Sequence, residues 1–142
     1  MKKAIKAFFD PITLAIIGIV VSIAFGVVAF PNWESHAEFK LTFAKNVSEK
    51  VSSYQSVRSD ELMVVQTSGN SSCKYSLYYQ SRPQTSYTTI TTGLKFSNNN
   101  EWDGDTYGLN SCWWNDVRFK AKKTAGTNVK SELAFSLGQT SD

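Results

Sequence analysis

The sequence is poor in the residues that hydrolytic and metal chemistry require. Its 142 residues include one histidine, His36, and two cysteines, Cys73 and Cys112. A Ser-His-Asp or Cys-His catalytic set needs a histidine beside a nucleophile, and a zinc site needs clustered cysteine or histidine ligands. No CxxC pair occurs, and His36 stands far from both cysteines. We therefore expect no enzymatic activity, no zinc site and a surface position for His36.

Excess charge is also scarce. The net charge is +3, and Lys2, Lys3 and Lys6 at the N-terminus account for most of it. The remainder of the chain is close to neutral, without the basic footprint typical of a nucleic-acid-binding domain. The sequence therefore predicts that nucleic acid is not a partner.

One basic cluster stands out in this near-neutral region. Its members are Arg118, Lys120, Lys122 and Lys123. We interpret them as the exposed face and tip of a β-hairpin, where charged side chains keep an edge soluble. The alternative is contact with phosphate or anionic lipid.

What the chain does contain is an apolar run over residues 12–30, bounded by Pro11 and Pro31 and free of charged side chains. A helix rises about 1.5 Å per residue, so about 20 apolar residues cross a bilayer core of roughly 30 Å. The run predicts one transmembrane helix over 12–30. The basic segment 1–11 then stays in the cytoplasm, and the rest lies outside it, in a periplasm, at a cell surface or in a virion. A cleaved secretory signal is the alternative.

Small residues recur along this run at steps of three or four, which places them on one face of a helix. They are Ala15, Gly18, Ser22, Gly26 and Ala29. Small residues let helix backbones approach closely in lipid. This face predicts packing against another span, in a homo- or hetero-oligomer.

Beyond a juxtamembrane linker at 31–36, residues 37–142 have the patterning of an all-β domain. Alternation of apolar and polar residues from Ala37 to Phe43 and from Cys73 to Tyr79 is typical of strands with one buried face. The continuous apolar run within Glu61–Thr67 indicates a buried strand. Short strands separated by turn signals predict an antiparallel sandwich or a jelly-roll-like barrel.

A hairpin is predicted near the C-terminus. Val117, Phe119 and Ala121 alternate with basic residues, and a second alternating segment from Val129 to Leu137 follows a turn that contains glycine. Two strand-like segments joined by such a turn usually pair with each other.

The orientation places Cys73 and Cys112 outside the cytoplasm, where two cysteines most simply form a disulfide. Such a bridge would stabilise the domain by roughly 3 to 4 kcal/mol, by restricting the unfolded chain. Two free thiols are the alternative for a protein that matures in a reducing cytosol.

Residues 98–105 partly resemble an oxygen-ligand calcium loop. Asn99, Glu101, Asp103 and Asp105 fall at alternate positions, and such side chains suit calcium. Asn110 stands where the final glutamate ligand of such a loop would be. An ordinary Asn/Asp/Gly loop without metal is the alternative.

Aromatic residues gather around this loop: Trp102, Tyr107, Trp113 and Trp114. Strand alternation would direct Trp113 and Trp114 to opposite faces, so one of them would remain near the surface. An exposed aromatic ring can stack on a sugar or anchor a protein contact. Burial of both tryptophans is the alternative.

Two functions fit this organisation. The first is a non-enzymatic structural subunit of a membrane-associated assembly, such as an envelope or secretion machine, an appendage base or a membrane-containing virion. The second is a membrane-tethered module that binds a glycan or another ligand. No cofactor is expected apart from the calcium considered above.

Overall fold

A computed structural model describes residues 33–58, 61–102, 106–109 and 115–140 of the chain. This part is an antiparallel all-β domain and includes no helix, which confirms the predicted fold class of the domain. The predicted transmembrane helix at 12–30, with its small-residue face, lies outside the described residues. Within the described ranges, no helix is long and apolar enough to cross a membrane.

Nine strands are described. They are β1 (Trp33–Phe43), β2 (Glu49–Val51), β3 (Gln55–Ser56), β4 (Glu61–Ser68), β5 (Lys74–Ser81), β6 (Thr88–Lys95), β7 (Tyr107–Gly108), β8 (Asp116–Ala125) and β9 (Ser131–Thr140). β1 begins at Trp33, four residues before the predicted start of the domain.

The strands form two sheets. Sheet A has the order β1-β9-β4-β7, and sheet B has the order β2-β8-β5-β6 with β3 also paired to β8. Apart from β2–β3 and β5–β6, every connection between consecutive strands crosses from one sheet to the other. The result is a β-sandwich-like arrangement in which the two sheets share one core.

Aromatic side chains fill the space between the sheets. The ring of Phe39 on β1 stacks on Phe135 of sheet A at 4.8 Å between centroids and contacts Phe119 of sheet B at 5.3 Å. Phe43, further along β1, meets Tyr75 of sheet B at 5.7 Å. Full burial of one such side chain contributes about 1.5 to 3 kcal/mol, so these rings fix how the sheets are aligned.

β4 is buried on both faces, as its continuous apolar sequence predicts. Leu62 and Val64 point into the core. Met63 and Val65 are also buried, but their cross-strand partners Ser136 and Ala134 lie outside the core cluster. The outward side of sheet A is therefore covered as well.

The predicted hairpin between residues 117 and 137 is wrong. β8 pairs with β5 in sheet B, and β9 pairs with β1 and β4 in sheet A. The turn between them has Gly126 at φ 72°, and the amide of Asn46 donates to the carbonyl of Thr127 at 2.7 Å. That contact holds the turn against the β1–β2 connection while the chain crosses between sheets. Alternation identifies the buried face of each strand, but it does not identify the sheet.

Candidate functional site

The outward face of sheet B combines cations with tyrosine rings. Alternation along β8 buries Val117, Phe119 and Ala121 and turns Arg118 and Lys120 towards the opposite face. Tyr54, Tyr78 and Tyr87 come from three other segments and lie against these two cations, and Arg82 lies over the ring of Tyr54. We call these six residues the cation–aromatic face.

Each of the three cations lies over at least one ring. The Cζ of Arg82 is 3.8 Å from the centroid of the Tyr54 ring, and that of Arg118 is 5.3 Å from the same ring. The Nζ of Lys120 lies 4.3 Å from the Tyr87 ring and 5.0 Å from Tyr78. At exposed sites such contacts contribute about 0.5 to 1 kcal/mol each. The contacts hold the cations in place without neutralising them.

A hydrogen bond adds to this ordering. The Nε of Arg118 donates to Oε1 of Gln80 at 2.8 Å. Gln80 is opposite Arg118 in the pairing of β5 with β8. The guanidinium keeps its other N–H donors for a ligand, since a guanidinium has five.

Positive charge continues along the same face beyond the rings. Lys122 lies opposite Ser76, and Lys74 lies directly opposite Lys95 in the pairing of β5 with β6. All three lysines are exposed. Like charges placed directly opposite each other destabilise a sheet, so a bound anion would relieve the repulsion between Lys74 and Lys95.

Two acidic groups accompany these cations. Asp116 lies 3.6 Å from Arg82, between Oδ2 and Nη1, and Glu49 is opposite Lys122 in the pairing of β2 with β8. Both members of the Arg82–Asp116 pair are at least half exposed, and such pairs contribute little to stability. Cations outnumber acids on this face.

A second feature is a cleft of about 350 Å³ at the side of the sandwich where β1 and β2 are the edge strands. Residues 39–42 of β1 form one wall, and residues 50–53 with Gln55 form the other. Phe39 is half-buried there, and Val51 is 41% exposed. The cleft therefore offers apolar side chains beside the edge strand of sheet A.

Lys123 does not belong to the exposed basic cluster. Its side chain is buried, with Nζ 5.6 Å from the Phe43 ring centroid and donating to the carbonyl of Val129. β8 continues to Ala125, so alternation directs Lys123 inward, whereas the sequence suggested a turn there. Burial lowers the pKa of Lys123, and the nearby Cys73 acts in the opposite direction.

Polar groups beside Lys123 form a hydrogen-bonded chain that runs from the buried Tyr75 to the exposed Asn99. The hydroxyl of Tyr75 donates to Oε1 of Gln66 at 2.6 Å, and Nε2 of Gln66 donates to Oδ1 of Asn99 at 2.9 Å. Burial raises the pKa of Tyr75. Asn99 in turn donates from Nδ2 to the carbonyl of Gly69 at 3.1 Å. Its side chain thus joins the loop at residues 98–102 to β4.

The predicted calcium ligands are only partly described. The carboxylate of Glu101 accepts a hydrogen bond from Nδ2 of Asn98 at 2.9 Å, while the Oδ1 atom of Asn99 is engaged with Gln66. Asp103 and Asp105 lie outside the described residues. Among the residues that are described, no group of three or more His, Cys, Asp or Glu is arranged to hold a metal.

Only two of the four residues of the predicted aromatic contact site are among the described residues. Trp102 and Tyr107 are half-buried, and Tyr107 packs against the core. Trp113 and Trp114 lie outside the described residues, as does Cys112. Cys73 is buried, with its Sγ 3.9 Å from the carbonyl oxygen of Gly126. The pairing of Cys73 with Cys112 stays a prediction.

Sequence reasoning missed the tyrosines of the cation–aromatic face. Arg118 and Lys120 were identifiable from β8 alone, but Tyr54, Tyr78 and Tyr87 come from separate segments and form no local motif. Only the pairing of β2, β3 and β5 with β8, and of β6 with β5, brings these segments together.

Comparisons with known proteins give no relative for this chain: no family model, no curated protein and no solved structure matches it.

Proposed function

We propose that the chain is a non-enzymatic structural subunit of a membrane-associated multiprotein assembly. Residues 12–30 would anchor it as a single span, with the N-terminus in the cytoplasm. The sandwich, in a jelly-roll-like arrangement, would stand in a periplasm, at a cell surface or in a virion. The face formed by Ala15, Gly18, Ser22, Gly26 and Ala29 would pack against other spans.

The observation that supports this proposal is the cleft beside β1. Edge strands are natural templates for strand addition, because their outer row of backbone groups can pair with another chain. Side chains of an added segment would meet the half-buried Phe39 and the exposed Val51 in the cleft. A neighbouring subunit of the assembly would supply that extended segment.

The test is native mass spectrometry of the full-length chain, extracted from its membrane in mild detergent. We expect an uncleaved chain in a defined oligomer or hetero-complex. Val51→Asp places a charge in the cleft and should abolish the complex, whereas Thr92→Asp, at an exposed position of β6, should leave it intact. A monomer that starts beyond the apolar run, or a Val51→Asp variant that still assembles, would overturn the proposal.

A second candidate function is a membrane-tethered module that binds a glycan or another ligand. The cation–aromatic face favours it, because six ordered groups from four segments converge on an open sheet surface. Trp113 and Trp114 would extend the binding surface if either is exposed. Glycan-array screening of the full-length chain tests this function, which would be abandoned if no glycan or other small ligand bound.

A further inference from the structure

We infer that the cation–aromatic face, extended by Lys122, Lys74 and Lys95, binds a linear anionic glycan with carboxylate or sulfate groups. This inference rests on the second candidate function and names its ligand class. It does not depend on the subunit proposal, which concerns the cleft between the edge strands β1 and β2.

The face is ordered before any ligand arrives. Tyr87 lies under Lys120 and within 5.6 Å of Arg118, and Gln80 accepts a hydrogen bond from Arg118. Side chains that are already held in place lose less conformational freedom on binding. The three rings therefore position the cations, and the cations make the contacts with the anionic groups.

The shape of the face suits an extended polymer. Alternate residues of a strand lie about 6.7 Å apart on one face, so Arg118, Lys120 and Lys122 form a straight row along β8. The row from Arg118 to Lys122 is about 13 Å long. A small anion would engage one cation or two, whereas a linear chain can contact the entire row.

Hydroxyl groups border the row. Thr89 is opposite Tyr78 in the pairing of β5 with β6, and Thr92 on the same strand is also exposed. Threonine hydroxyls both donate and accept hydrogen bonds, as sugar hydroxyls do. Cations flanked by hydroxyls match a polymer that carries both carboxylates and hydroxyls.

Nucleic acid and membrane fit less well. Single strands bind by stacking bases on open aromatic faces, but cations already lie over the rings of Tyr54, Tyr78 and Tyr87. The whole chain has a net charge of only +3, below the usual basic footprint.

A membrane surface would meet only one end of the row. β1 begins at Trp33, next to the predicted anchor. Further along β1, Phe39 contacts Phe119, and Phe43 at the end of β1 lies beside Lys123. Because β8 runs from Phe119 to Lys123 in the same direction, the cations extend away from the anchored end.

The test measures binding of the full-length chain in non-ionic detergent to immobilised polygalacturonate, with dextran as the uncharged comparison. The variant Arg118→Gln with Lys120→Gln removes two charges from the face. The matched control, Lys45→Gln with Lys130→Gln, removes two exposed charges elsewhere. We expect binding to polygalacturonate but not to dextran, weakened on the order of tenfold by the face variant and unchanged in the control. Circular dichroism checks that both variants fold.

Every other outcome overturns the inference in a recognisable way. Equal loss in both variants means attraction by net charge alone. Preference for immobilised oligothymidylate or for immobilised phosphatidylglycerol, tested in the same detergent, assigns the face to nucleic acid or membrane and leaves a binding function in place. Absence of binding to every probe, in this assay and in glycan-array screening, removes the second candidate function as well.

Discussion

The indole Nε1 of Trp33 donates a hydrogen bond to Oγ of Ser136 at 2.9 Å, although 103 positions separate the two residues. The Ser136 hydroxyl donates onward to Oγ of Ser35 at 2.9 Å, and Ser35 donates to Oε2 of Glu38 at 3.1 Å. This relay of hydrogen bonds connects the start of β1, which follows the apolar run, to β9. The start of β1 is therefore tied to a buried strand.

Ser136→Ala tests that coupling. The variant removes the acceptor of a buried indole N–H, and leaving such a donor without its partner costs about 1 to 3 kcal/mol. We expect the free energy of unfolding of the full-length chain, measured by urea titration with tryptophan fluorescence, to fall by that amount. Ser56→Ala, at an exposed serine of β3, is the control and should change stability by less than about 0.5 kcal/mol. Equal stability of the two variants would contradict the role given to the relay.

Alanine substitutions at two glycines allow the cost of steric crowding to be measured separately from the cost of backbone strain. Gly126 and Gly93 have similar positive φ angles of 72° and 69°. A Cβ at Gly126 would lie 2.9 Å from Cα of Cys73, whereas one at Gly93 would meet nothing within 4 Å. Gly93→Ala should cost about 1 to 2 kcal/mol from φ alone, and Gly126→Ala should cost about 1 to 3 kcal/mol more. Urea titration of both variants measures the difference, and similar losses would show that the backbone of Cys73 yields without cost.

Stability should depend on pH through Lys123 and Tyr75. The pKa of Lys123 is lowered in the folded protein, so the unfolded state binds an extra proton between the folded pKa and about 10.5, the unfolded pKa. The Lys123 contribution to the free energy of unfolding therefore rises with pH over that interval, by up to about 1.4 kcal/mol per pH unit. Above about pH 10 the unfolded state ionises its tyrosines, and the raised pKa of Tyr75 then lowers stability.

Urea titrations from pH 7 to pH 11 measure this profile. Lys123→Met should abolish the rising limb, because methionine has a similar length without a titrating group, and Tyr75→Phe should abolish much of the falling limb. Subtracting each variant's profile from that of the wild type removes the contribution of groups that do not interact with the substituted side chain. A Lys123→Met profile parallel to that of the wild type would contradict a buried, titrating lysine.

Local sequence patterns predicted where the strands lie more accurately than they predicted which strands pair. Alternation identified Leu41 and Phe43 as buried and Thr42 as exposed, because burial on one face imposes a period of two. Alternation does not encode sheet membership, so β8 and β9 were wrongly joined. At the turn that contains Gly126, the hydrogen bond from Asn46 to Thr127 holds the chain where it crosses from the sheet of β8 to the sheet of β9. Likewise, Tyr54 and Tyr87 reach Arg118 only through long-range pairing, which no local pattern records.

The predicted Cys73–Cys112 disulfide can be tested by thiol labelling. Because Cys73 is buried in the folded protein, the labelling is done in denaturant. In denaturant without reductant, maleimide should label neither cysteine of the full-length chain, and prior reduction should expose both. Cys112→Ser should then lower the free energy of unfolding by roughly 3 to 4 kcal/mol, since the unfolded chain loses a loop closure of about forty residues. Under reducing conditions wild type and variant should unfold alike, because the bridge is absent from both. If both thiols label without reduction, the bridge does not form. That result would favour the alternative of two free thiols in a domain that matures in a reducing compartment.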